Sequence, residues 1–249
     1  LEAVPPGARW MLHASPPCQS VSALQGVQPE DNRKDQSIGL DLVNWYLRLV
    51  LRLKPTYWTF EQVAHQEVVG ALRLFKFLHP AICDYEKVNF GTYGLPQHRK
   101  RMVAGTPSLM KNFLTEPSLR APTPKLTDVL TVPENAVYQR SSVGKNPDRS
   151  QNILNEDGTY SNASIRRDVR SVHDVSWGCT ARHSHAYLTN EYVFIREQTP
   201  RETATLQSFP SWYKMDLKSV TVQTRQLAMG NALPPLIAKK LLECMLTVT

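Results

Sequence analysis

The chain has 249 residues, 41% hydrophobic and 20% charged, enough for one sizeable core or two modest ones. Lys and Arg number 29 against 22 Asp and Glu, a formal net charge of +7 that suits a polyanionic partner. The longest apolar stretch, Trp45 to Leu53, is interrupted by Arg48 and Arg52, which argues against a membrane span, and no secretory signal is visible. Four irregularly spaced cysteines (Cys18, Cys83, Cys179, Cys244) read as reduced thiols of an intracellular protein rather than a disulfide scaffold. The first residue is Leu1 rather than Met, so the chain is expected to begin partway through a longer polypeptide.

In chain order, residues Arg9 to Ala14 read as a short strand running into Ser15-Pro16-Pro17-Cys18-Gln19. A polar loop from Ser20 to Gln36 follows. From Ile38 to Lys54 the apolar positions Val43, Tyr46, Leu47, Val50 and Leu53 recur at helical spacing, and Pro55 stops the helix. Tyr57 to Phe60, aromatic and β-branched, predicts a second strand ending at Glu61. A helix over Gln66 to Leu78, a strand near Ile82 to Phe90, a Gly-rich turn and a strand over Met102 to Gly105 complete an alternation that favours a mostly parallel α/β sheet. The region from Pro107 to about Tyr187 is rich in Pro, Asn, Ser and Asp, and reads as a smaller, irregular domain. Thr199-Pro200-Arg201-Glu202 predicts a capping box with proline at the first helical position. A last helix follows Pro234-Pro235 and runs to about Met245.

In a parallel β-α-β unit, residues just past the two strand ends share one edge of the sheet, where open α/β sheets place their sites. Cys18 and Glu61 lie 43 residues apart, the length of one loop, one helix and one strand, so a thiol and a carboxylate are expected to converge there. In Gln97-His98-Arg99-Lys100-Arg101, the alternate residues Arg99 and Arg101 would share a face if extended, and could bind phosphate, pair with Glu61 or clamp a carbonyl. Cys179, His183 and His185 lack an evident fourth ligand, and no metal site is predicted from them.

Five segments in order give the sequence a family likeness. Ser15-Pro16-Pro17-Cys18-Gln19-Ser20-Val21-Ser22 resembles the Pro-Cys-Gln nucleophile motif of cytosine-5 DNA methyltransferases. Phe60-Glu61-Gln62-Val63 resembles their Glu-Asn-Val motif, with Gln62 in place of Asn. Tyr93 through Arg101 is similar to Gly-Val-Pro-Gln-x-Arg-x-Arg. Thr199 through Pro210 resembles the late motif supporting the target-recognition domain. Gln226 through Pro235 resembles the terminal Gly-Asn-x-Val-Pro-Pro motif.

The resemblance implies a Rossmann-like methyltransferase sheet of the α/β class, incomplete at its amino terminus, with a smaller irregular target-recognition domain. Residues 1–106 would be the first part of the catalytic domain, 107–187 the recognition domain, and 188–249 its support and the return to the catalytic domain. The implied activity is methyl transfer from S-adenosylmethionine to carbon 5 of a flipped-out cytosine in double-stranded DNA. Cys18 would add to carbon 6, Glu61 would hold or protonate N3, Arg101 would bind O2, and Arg99 would support the loop or a phosphate. Pro17, Leu42, Asn231, Ala232 and Leu233 would touch the methyl donor. Gln19, Ser22, Arg33 and Gln97 would serve the substrate, and so would Arg166, Arg167 and Arg182, from a recognition region also carrying Arg140, Lys145, Arg149 and Arg170.

Gln62 is expected to brace its loop. The family's Gly-rich donor loop has no counterpart, since none of the 11 glycines forms a Gly-x-Gly and sixteen residues precede Pro17. That segment is expected upstream or on a second polypeptide. Two other readings stand beside this one: a tRNA cytosine-5 methyltransferase, and a non-catalytic DNA-binding subunit of a split enzyme. An intracellular, DNA-associated location accompanies the first, with restriction–modification among its settings.

Overall fold

The computed structural model describes residues 4, 5, 7–16, 36–133, 135–140, 169–176, 178, 185–190, 194–214 and 219–247. The chain divides into two compact units. The first comprises Leu1–Phe90, Lys100–Arg120 and Ile237–Thr249, and the second Gly91–Arg99 and Ala121–Leu236. Among the described residues no helix is long and apolar enough to cross a membrane.

The first unit is built on strands β1 (Met11–Ala14), β2 (Tyr57–Gln62), β3 (Asp84–Asn89) and β4 (Lys100–Gly105), in the order β1-β2-β4-β3. Helices α1 (Gln36–Leu53) and α2 (Gln66–Leu78) lie between β1 and β3 in sequence. Val43, Tyr46, Leu47 and Val50 of α1 and Val68, Leu72 and Phe75 of α2 recur at three- and four-residue intervals, and all are buried. They pack with Trp58, Phe60, Met102 and Ala104, which share one face of β2 and β4, while Thr59, Glu61 and Val103 on the other face are buried as well. Lys54, at φ +46°, ends α1 in the left-handed region immediately before Pro55. The Tyr46 hydroxyl reaches the sheet between two strands, 2.9 Å from Leu12 O on β1 and 2.8 Å from Thr59 O on β2. Its one proton is shared between these two carbonyls, and burial raises its pKa, so the phenol stays protonated.

The sheet departs from the mostly parallel expectation. β1 and β2 are parallel, but β4 runs antiparallel to both β2 and β3. Three strands point one way, and the reversed β4 sits between two of them, because the 91–99 segment returns the chain beside β3 instead of crossing over through a helix. Gly105 shows how tightly β4 is inserted: a Cβ there would lie 2.5 Å from Trp58 O.

Helix α3 (Pro107–Thr115) belongs to this same unit, packs against β3 and β4, and buries Leu109, Met110 and Phe113. The compact unit therefore extends to Arg120, beyond the sequence-based boundary at 106. The terminal helix α7 (Pro235–Thr247) buries Ile237, Leu241 and Cys244, and all but its first two residues belong here as well.

The second unit contains the short helix α4 (Leu126–Val129) and strands β5 (Ala136–Arg140), β6 (Val169–Ser171), β7 (His185–Thr189) and β8 (Phe194–Glu197), followed by helices α5 (Pro200–Leu206) and α6 (Val222–Asn231). The order is β6-β5-β7-β8 and every pair is antiparallel. Its core gathers Leu126, Ala136, Tyr138, Val172, Tyr187 and Leu206. The capping box forms as read: Thr199 Oγ1 accepts from Glu202 N, and the Glu202 carboxylate accepts from Thr199 N. Glu202 is further held by Arg196, at 2.7 and 2.9 Å, whose guanidinium lies over the Tyr187 ring. Burial opposes ionisation of Glu202, but the Arg196 and Thr199 hydrogen bonds prevail and lower its pKa.

Candidate active site

The parallel register pairs Ala14 with Phe60, so β1 and β2 deliver their next residues, Ser15 and Glu61, to the same edge of the sheet. Ser15 Oγ donates a short hydrogen bond to Glu61 Oε2. From β4, Arg101 brings Nε to 3.0 Å from Glu61 Oε1, with the carboxylate side chain 5% exposed and the guanidinium 16%. That approach is ionic rather than a directed hydrogen bond, and among the described residues no donor points at this buried oxygen. The other end of the guanidinium is fixed by donation from Nη1 to Lys100 O at 2.9 Å. The result is a desolvated carboxylate with one oxygen satisfied and the other beside a cation, able to accept from a ring N–H or amine.

Gln62 bridges the two strand exits. Its Nε2 donates to Pro16 O at 2.7 Å, and its Oε1 accepts from Val63 N at 2.7 Å. The longer amide thus spans the gap and braces the backbone two residues before Cys18. Cys18 itself, with Pro17, Gln19, Ser22 and Arg33, lies outside the described residues, as do Arg166, Arg167 and Arg182. The side chains of Arg140 and Arg170, on described strands, lie outside as well, together with Lys145 and Arg149.

Of the four cysteines, the two whose surroundings are described are unsuited to nucleophilic work. Cys83 and Cys244 are buried, and burial pushes each thiol up to about 12. His185, considered with Cys179 and His183, stacks on Tyr138 and shares Gln198 Oε1 through Nδ1 at 3.2 Å, while Cys179 and His183 lie outside the described residues.

Two residues that the motif reading did not assign belong to this edge. Ser15 holds the carboxylate, and the register alone would have signalled it, since it stands opposite Glu61. His13 points to the same strand face two residues earlier, its Nδ1 2.8 Å from Thr59 Oγ1. The residue as a whole is exposed, but desolvation of the ring lowers its pKa from 6.5, against the opposing pull of the Glu61 charge.

Within the second unit, Gln97 is fully buried. Its Nε2 donates to Leu206 O and Gln207 Oε1, so the side chain that the sequence reading gave to the substrate is turned inward onto its own unit. Arg99, 3% exposed, donates to Gly230 O and Ala232 O. Of the roles considered for it, supporting a loop is the one this geometry performs. Asn231, Ala232 and Leu233 form a half-buried turn at the end of α6. Leu42, on α1 in the first unit, is 36% exposed.

The sequence aligns with Type II methyltransferase M.AplI of Arthrospira platensis at 27% identity over 253 residues, 92% of this chain and 66% of that protein. It also aligns with Type II methyltransferase M.XorII of Xanthomonas oryzae pv. oryzae at 32% identity over 95 residues, 35% of this chain and 21% of that protein. The chain thus spans less than two thirds of the length of either relative.

Among solved structures, a methyltransferase of Entamoeba histolytica, EhMeth, superposes with a TM-score of 0.59 at 16% identity, covering 94% of this chain and 76% of that one. The Dnmt2 methyltransferase of S. pombe gives 0.55 at 14% identity, covering 95% and 77%. At these identities the likeness bears on the fold, which is the Rossmann-like one of methyltransferases. The family model of C-5 cytosine-specific DNA methylases matches residues 8–247, and the chain belongs to that family.

Proposed function

We propose that this chain carries the cytosine-binding and nucleophile-bearing part of a DNA cytosine-5 methyltransferase. The observation that supports this most is the Glu61 carboxylate: buried, held on one oxygen by Ser15, neighboured by Arg101 on the other, and set at the strand edge that leads to Cys18. Carbon 5 of cytosine is a poor nucleophile. Addition of the Cys18 thiolate to carbon 6 pushes electrons towards N3, and a proton delivered through Glu61 neutralises them, leaving an enamine whose carbon 5 can attack a methyl group. Arg101 holds the ring through O2, loss of the carbon 5 proton follows, and the sulfur is eliminated.

S-adenosylmethionine supplies the electrophilic methyl group when bound. The half-buried turn Asn231-Ala232-Leu233 fits a role in lining it, because Arg99 takes the carbonyls at 230 and 232 and leaves the side chains of the turn partly accessible. Pro17 and Leu42 complete the donor contacts proposed from this chain. A second polypeptide or further segment supplying the rest accords with the shorter length of the chain relative to the Type II methyltransferases it matches.

The substrate is double-stranded DNA, read by Gln19, Ser22, Arg33, Arg166, Arg167 and Arg182 together with the net charge of +7. Duplex DNA carrying 5-fluorocytosine tests the reading, because fluorine blocks loss of the carbon 5 substituent and traps the Cys18 adduct. With the donor and the matching upstream segment supplied, a crosslink lost in Cys18→Ser is the expected result. Crosslinking of tRNA alone would reassign the substrate, and no crosslink to either would leave a binding subunit.

A further inference from the structure

Among the described residues outside the carboxylate site, a set of buried polar side chains lies in the second unit, and one member, Gln207, belongs to none of the roles assigned above. Gln97 and Gln207 are both 0% exposed. Burying two amides is unfavourable unless their donors and acceptors are matched, and here they are matched head to tail. Gln97 Nε2 donates to Leu206 O at 2.7 Å and to Gln207 Oε1 at 3.1 Å, and Gln207 Nε2 donates onward to Met229 O at 2.5 Å. Arg99 donates to the carbonyls of Gly230 and Ala232, both at 3.1 Å. Carbonyls 229, 230 and 232 lie at and just beyond the end of α6, where helical partners run out; Met229 O also accepts the backbone N–H of Ala232, at 3.3 Å. They are satisfied by side chains 22 to 133 positions away in sequence. The backbone of the 231–233 turn is therefore set from two sides by a fixed network.

We propose that Gln207 is a positioning residue for the methyl-donor turn, acting through Met229 O to hold the backbone from which Asn231, Ala232 and Leu233 project. This rests on the reading of that turn as donor-binding. The role requires a side chain that accepts from Gln97 and donates to Met229 at once, which an amide does and a carboxylate does not.

Two variants test it, each in the full chain together with whatever segment completes the enzyme. Gln207→Met removes both contacts at similar volume. Gln207→Glu keeps the acceptor for Gln97 and loses the donor to Met229, until acid protonates the carboxyl and restores an O–H donor. Loss of one buried hydrogen bond is expected to raise amide hydrogen exchange across residues 228–233 by about tenfold over the parent, with α2 unchanged. In Gln207→Glu the ratio to parent is expected to shrink from about pH 8 to about pH 5. In methyl transfer the KM for S-adenosylmethionine is expected to rise about tenfold, with kcat within about twofold. Unchanged exchange at 228–233, a rise spread evenly over both units, or a fall in kcat at constant KM overturns the proposal. If parent and variants alike transfer no methyl group, the functional reading fails, and hydrogen exchange still decides whether Gln207 clamps the turn.

Discussion

The two units use buried polar groups in opposite ways. In the first, the sheet ends in a carboxylate that is incompletely satisfied: Glu61 has Ser15 on one oxygen, and the other is desolvated beside Arg101. In the second, Gln97, Arg99 and Gln207 spend their donors on backbone carbonyls. An open acceptor at a strand edge is a place for a ligand, whereas donors turned onto carbonyls make a scaffold. The difference shows why residues of one motif, Gln97-His98-Arg99-Lys100-Arg101, divide their work. Gln97 and Arg99 hold backbone in the second unit, while Arg101 faces Glu61 in the first.

The sharpest way to break this contrast is Glu61→Gln. The amide preserves size but can neither pair with Arg101 nor shuttle a proton, so methyl transfer is expected to fall by about 10²- to 10⁴-fold, measured as single-turnover rate. A variant that methylates as fast as the parent would remove Glu61 from the chemistry. Tyr46→Phe probes the scaffold of the first unit. Two strand carbonyls lose their shared donor, and urea unfolding should report a loss of about 1 kcal/mol at constant m-value.

Thr199→Ala is the matching probe in the second unit. The capping box loses its hydroxyl, and about 1 kcal/mol of stability should go with it. Equal costs in both units with no change in donor KM would separate general support from the specific positioning assigned to Gln207.

The smallest effect concerns His13. Its pKa in the folded chain lies below 6.5, so the unfolded chain takes up the proton first as pH falls. Its contribution to stability is complete above that value and declines below it, until the folded imidazole also protonates. His13→Asn should flatten the dependence of the urea midpoint between about pH 7.5 and pH 5. An unaltered slope would show that some other group governs it.

Much of the first unit was legible because its signals are local. The three- and four-residue spacing of Val43, Tyr46, Leu47 and Val50 marks a helix whatever it packs against, and the helix over Gln66 to Leu78 has the bounds read for it. Glu61 at the end of β2 followed from chain direction. The second sheet was read as irregular because β6 has three residues and β8 four, too short for a period of two to stand out from the polar residues around them.

The sequence by itself determined helices α1, α2 and α7, the place of Glu61 at the end of β2, the capping box at Thr199 and the family motifs, since each depends on residues near one another in the chain, whereas α3 and α6 were not read. Tertiary structure alone decided that β4 enters the sheet reversed between β2 and β3, and that Ser15 meets Glu61. It also decided that Gln97 and Gln207 turn inward to hold carbonyls more than twenty residues away. Strand order and the partner of a buried amide are set by which distant segments exclude water together, and no local pattern records that choice.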